Sequence, residues 1–183
     1  MKKTVKNLTL AAMFLAIGMV LPFLTGQIPQ IGNMLLPMHI PVLLCGLICG
    51  WQYGAAVGFV LPLLRSAVFG MPVFFPAATA MAFELMTYGL VVGLLYKISR
   101  WQCVIALYRC LILAMIAGRA VWGIVQFIQL GVFGNGFTLK MFMTGAFLNA
   151  IPGIILQLIL IPAIMVALDR TGLVHFRKHK KTS

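Results

Sequence analysis

The sequence predicts an all-α integral membrane protein, a bundle of six transmembrane helices that fills residues 1–183 as one domain, with both termini cytoplasmic. Three observations carry this. Hydrophobic residues make up 62% of the 183-residue chain and charged residues 9%, with a mean hydropathy of +1.07. So much apolar surface exceeds what a chain of this size can bury in water. Several apolar segments reach the roughly 20 helical residues that cross a hydrocarbon core, and none alternates in the manner of a barrel strand. Finally, the basic residues collect at sites that an even number of spans brings to one side.

The segments follow in order. The first runs from Asn7 to Leu24, behind Lys2, Lys3 and Lys6. Its basic start and apolar body resemble a signal peptide, but no small-residue cleavage pattern follows Leu24, so it is expected to be retained. The second, His39 to Gly50, is too short to span straight and is expected to be a Pro-bounded, partly buried or tilted helix. The third and fourth run from Gly54 to Gly70 and from Ala77 to Ile98. Lys97 and Arg100 follow before the fifth, Cys103 to Val132, and the sixth runs from Leu139 to Leu168. Arg170, Arg177, Lys178, Lys180 and Lys181 come after it, whereas the opposite side carries only Lys140. This bias places both termini in the cytoplasm. The net charge of +12 thus sits where topology determinants belong, which argues against nucleic acid as a partner. The tail HFRKHKKTS reads as a solvated stop signal that can also rest on anionic headgroups.

Chemistry is excluded more readily than assigned. The chain has no GxSxG, HExxH, GxxxxGK[ST] or paired carboxylates, and its two acidic residues leave little scope for acid–base catalysis. No enzyme is expected, and no cofactor. Any ATP hydrolysis that drives accumulation of a solute must occur on other chains. Cys45, Cys49, Cys103 and Cys110 are all expected inside helices as packing residues, which argues against a disulfide scaffold. His39, Cys45 and Cys49 match no metal-ligand spacing, and His39 at a helix mouth is read as a hydrogen-bonding residue.

The charges within the apolar segments are the informative residues, because an intramembrane charge is costly and is expected to be paired or functional. Counting inward from the outer helix ends at about 1.5 Å per residue puts Arg65 about 8 Å deep and Glu84 about 10 Å deep, with Arg119 and Asn149 at about 15 to 20 Å. Arg65 and Glu84 are therefore expected to meet. One reading is purely structural: that pair locks the third and fourth helices, and Arg119 is satisfied by carbonyls and Asn149. The other notes that two arginines face one glutamate, so that an anionic ligand completes the set. Arg109, near the cytoplasmic end, can snorkel and is left out of this count. Around the charges lie Gln27, Gln30, Asn33, Phe69, Phe74 and Phe75 in the outer connections, while Trp122 and Gln126 follow Arg119 on its helical face. Apolar walls with a few polar groups suit a small organic solute, although each Phe alone also fits an interfacial belt. The candidate substrate-binding residues are thus Asn33, His39, Arg65, Phe69, Glu84, Arg119, Trp122, Gln126 and Asn149.

On the first helix, Ala12 and Ala16 lie four apart with Gly18 close by, a face narrow enough for another helix to approach. Together with the chain length, six segments, short second helix and long outer connections, this Ala12-Met-Phe-Leu-Ala16 motif resembles the substrate-binding S component of energy-coupling factor (ECF) vitamin transporters, whose first helix carries an AxxxA motif. The run MHIPVLLCGLICGWQYGAAVGFVLPLLRSAVFGMP is similar to the branch that includes pantothenate binders. The resemblance covers nearly the whole chain. It implies a multi-pass protein of a bacterial plasma membrane that captures a vitamin from outside. It also implies partners: a membrane-embedded coupling subunit, which Ala12 and Ala16 would face, and two ATPases. The implied ligand lies toward the outer face beneath the loops that join helices one to two, three to four and five to six. A carboxylate-bearing vitamin is expected, pantothenate first and nicotinate next. Two readings from other classes are a small self-associating exporter or channel, and a non-transporting membrane assembly factor. A dual-orientation exporter should lack the strong positive-inside bias seen here.

Overall fold

The computed structural model describes residues 2–25, 36–99, 103–132 and 150–171, and among them every regular element is helical. Helix α1 (Lys2–Val20) continues into a 3-10 turn at Leu21–Thr25; α2 is His39–Cys49 and α3 is Trp51–Phe69. A kinked turn at Phe74–Ala78, in which Phe75 is extended (φ −124°, ψ 134°), leads into α4 (Thr79–Ile98), followed by α5 (Val104–Val132) and α6 (Ile151–Arg170). Among the described residues five helical stretches are long and apolar enough to cross a membrane, and α2 is a shorter apolar helix beside them. Of the expected sixth segment, residues 139–149 lie outside the described residues, as does Arg100. One expectation is corrected directly: Cys103 precedes α5 and is exposed, so it is not a packing residue inside a helix.

Helix α2 explains how a short segment fits a membrane bundle. Its 11 residues are apolar all round apart from His39, and ten of them are buried, the signature of a helix enclosed by others. It packs against α1, α3, α4 and α6. Gly50, with φ of 101°, makes the corner into α3 in a backbone region that side chains rarely adopt. Asn7 Nδ2 donates to the Cys49 carbonyl at 3.2 Å, which ties the start of α1 to the end of α2. Lys6, Lys97 and Arg170 accordingly belong to helix ends at one end of the bundle.

The α2–α3–α4 core is joined by glycines. Gly54 and Gly58 on α3, and Gly89 and Gly93 on α4, each repeat at four residues, and every one of them faces backbone of a neighbouring helix so closely that a Cβ would collide. Lipid offers no hydrophobic drive for helices to associate, so close backbone approach of this kind supplies the packing instead. At its far end α3 is stopped by Gly70, in the left-handed region at φ of 70°, whose N–H caps the Ser66 carbonyl at 2.9 Å.

Candidate functional site

The buried charges assemble differently from the expected pairing. Glu84 on α4 meets Arg119 on α5, with Nη1 to Oε1 at 3.1 Å. The Tyr88 hydroxyl, one turn along α4, donates to the same oxygen at 3.1 Å, and His39 Nε2 lies 3.6 Å from it. The His39 and Tyr88 rings are tilted against each other at 5.1 Å. Glu84 is 1% exposed and Arg119 5%, so the carboxylate survives burial because a guanidinium and a hydroxyl donor surround it. Gly118 is part of this design: a Cβ there would strike the Tyr88 ring. His39 is the first residue of α2, whose 11 residues rise only about 16 Å. Its N-terminal end therefore sits well inside the bundle and adds partial positive charge beside Glu84.

Arg65 does not reach Glu84. Its Nη1 donates to the Met19 carbonyl at 2.6 Å, and its guanidinium carbon lies 5.2 Å from the Phe23 ring centroid and 5.4 Å from that of Phe69. The two rings meet edge to face at 4.9 Å. Met19 is in the last turn of α1, where carbonyls lack helical partners and the dipole favours a cation. Arg65 is itself only 3% exposed. The reason for the changed pairing is depth. Gly58 packs on the Leu85 carbonyl, and Arg65 is seven residues, about 10 Å, farther along α3. Glu84, one residue before Leu85, instead sits at the level of Gly58, where it meets Arg119.

The remaining candidates divide. Asn33 and Asn149 lie outside the described residues, as do Gln27, Gln30 and Lys140. Phe69 frames Arg65, whereas His39, at the first position of α2, belongs to the buried Glu84 cluster. Trp122 and Gln126 are half-buried on the Arg119 face of α5. Arg119 Nε and Nη2 and the Gln126 Oε1 are buried with no hydrogen-bond partner among the described residues. Ala12 and Ala16 are exposed, on the side of α1 opposite the buried Ala11, Phe14 and Gly18. Tyr88, Met19 and Phe23 were not among the sequence candidates. Tyr88 stands four residues after Glu84, a spacing that puts both on one helical face; nothing in the sequence points to the Met19 carbonyl. Among the described residues no three His, Cys, Asp or Glu side chains come together as a metal site. An open groove between α5 and α6, lined by Tyr108, Pro162, Val166 and Arg170 among others, is at the opposite end of α5 from Gln126 and holds none of the candidate residues.

Membrane-length helices wrapped around buried ionisable side chains define a multi-pass membrane protein with intramembrane charges of the kind that mark solute paths. Residues 6–165 match the family model described as ECF transporter, substrate-specific component. The chain belongs to that family. It is accordingly a substrate-binding transporter subunit, of a kind that works with membrane-embedded coupling and ATPase components. Neither the curated proteins nor the solved structures contain a match.

Proposed function

We propose that this subunit captures a small carboxylate-bearing vitamin, pantothenate before nicotinate, from the outer side of the cell membrane for an ATP-driven importer. The observation that carries the anion is Arg65. The chain has two acidic side chains; Glu84 is matched by Arg119, and Asp169 is in the last turn of α6, beside Arg170 in the sequence. Arg65 is left with a carbonyl and two aromatic faces, contacts that orient a guanidinium without neutralising it. A buried cation without a counter-charge favours an anionic ligand. Both termini are on the cytoplasmic side in this reading, which puts Arg65 toward the outside. The exposed Ala12–Ala16 face of α1 is the docking surface for the coupling subunit.

The test is the solute itself. Protein purified in mild detergent and washed extensively should release, on denaturation, a small carboxylic acid detectable by mass spectrometry. Release of a neutral or cationic solute at stoichiometric yield would overturn the assignment of an acid.

A further inference from the structure

Thr79 and Gln129 carry a hydrogen-bond chain whose polarity is fixed. Gln129 Nε2 donates to Thr79 Oγ1 at 2.8 Å, and Thr79 Oγ1 donates to the Pro76 carbonyl at 2.9 Å. A hydroxyl has one proton. With that proton committed to Pro76, the Thr79 oxygen can only accept from Gln129. The carboxamide nitrogen must therefore face Thr79, and the carboxamide oxygen must turn away from it. That oxygen, Gln129 Oε1, is buried and has no donor among the described residues, and Gln126 Oε1 is in the same condition.

Positions 119, 122, 126 and 129 are spaced three, four and three apart, so they share one face of α5. From Arg119 to Gln129 this face rises about 15 Å. Its deep end offers the Arg119 Nε and Nη2 protons, and its far end offers two carboxamide oxygens that need protons. Buried polar atoms are normally paired, so the complement of this face carries acceptors at one end and donors at the other.

We infer that Gln129, held in orientation by Thr79, determines specificity by accepting a hydrogen bond from an O–H or N–H group of the solute. The solute is then a small acid that also carries hydroxyl or amide N–H donors, and not an acid that offers acceptors alone. This rests on the solute-binding reading above and goes beyond it by stating which acids fit.

The experiment is calorimetry on the purified full chain in detergent with two probes: pantothenate, which has hydroxyl and amide N–H donors, and nicotinate, whose ionised form has none. The unmodified protein should bind pantothenate the more tightly. Gln129→Met should weaken pantothenate about tenfold and leave nicotinate unchanged, while Thr79→Ser, which keeps the hydroxyl, should behave like the unmodified protein. Thr79→Val, which removes the hydroxyl without touching Gln129, should weaken pantothenate by a smaller factor and serves if Gln129→Met does not fold. Unchanged pantothenate binding in Gln129→Met and Thr79→Val, or equal losses for both acids, would overturn the inference. If neither acid binds the unmodified protein, the acid preference proposed above fails separately. The role of Gln129 is then read from the solute released on denaturation: one lacking any O–H or N–H donor overturns it, and one with a donor whose retention falls in Gln129→Met upholds it.

Discussion

Two arginines lie buried in this bundle, and their surroundings differ in one respect that separates structure from binding. Arg119 ends on a carboxylate that also takes the Tyr88 hydroxyl and faces His39. Arg65 ends on a main-chain carbonyl between two phenyl rings. Both are 5% exposed or less, so burial does not tell them apart; the presence or absence of a counter-charge does. A matched guanidinium stabilises the helices that bring its partner, whereas an unmatched one keeps electrostatic attraction in reserve for a ligand.

Breaking the matched pair should have the largest effect on stability. Arg119→Gln leaves Glu84 uncompensated and should cost about 3–5 kcal/mol in detergent unfolding, as should Glu84→Gln in the reverse sense. The double variant should recover part of that loss. Arg65→Gln, which gives up one charged hydrogen bond to Met19, should cost less, about 1.5–3 kcal/mol. Equal losses for Arg65→Gln and Arg119→Gln would erase the distinction.

The small residues sharpen the same contrast between what is enclosed and what is left open. Gly89→Ala pushes a Cβ into the Gly54 carbonyl and should cost about 1–3 kcal/mol. Ala12→Trp, on the exposed side of α1, should change unfolding by less than about 0.5 kcal/mol. The same variant should keep solute binding and abolish uptake by cells that also supply the coupling subunit and the ATPases. Loss of binding together with uptake would make α1 a structural helix instead of a docking surface.

How much of this was legible in the sequence depended on whether the information was local. Apolar runs mark each membrane helix because hydrocarbon excludes unpaired backbone, and the shortness of the second segment was visible in its residue count. The charged residues stand out in the sequence, but the expected pairing of Arg65 with Glu84 does not form, because Glu84 pairs with Arg119. Depth was counted from each helix's own end, which assumes level ends. Helix α5 has 29 residues, about 43 Å, and overshoots a hydrocarbon core of about 30 Å, while Phe75, extended at φ of −124° and ψ of 134°, kinks the entry to α4. Such offsets are set by how helices dock, not by their own sequences. The glycine seam was readable: Gly54 to Gly58 and Gly89 to Gly93 carry the same four-residue spacing that drew attention to Ala12 and Ala16. The role of Gln129 was not, because it depends on where the single proton of Thr79 goes.

The most direct test of the central claim, that Arg65 is the cation awaiting an anion, compares two ligands on two proteins. The acid that co-purifies, pantothenate on the present reading, and its carboxamide are titrated calorimetrically into the unmodified protein and into Arg65→Gln. The unmodified protein should prefer the acid by about 2–5 kcal/mol, as expected for a buried charge pair, and Arg65→Gln should lose most of that preference while remaining folded. Equal affinity of the unmodified protein for acid and carboxamide, or a preference that survives intact in Arg65→Gln, would contradict the account.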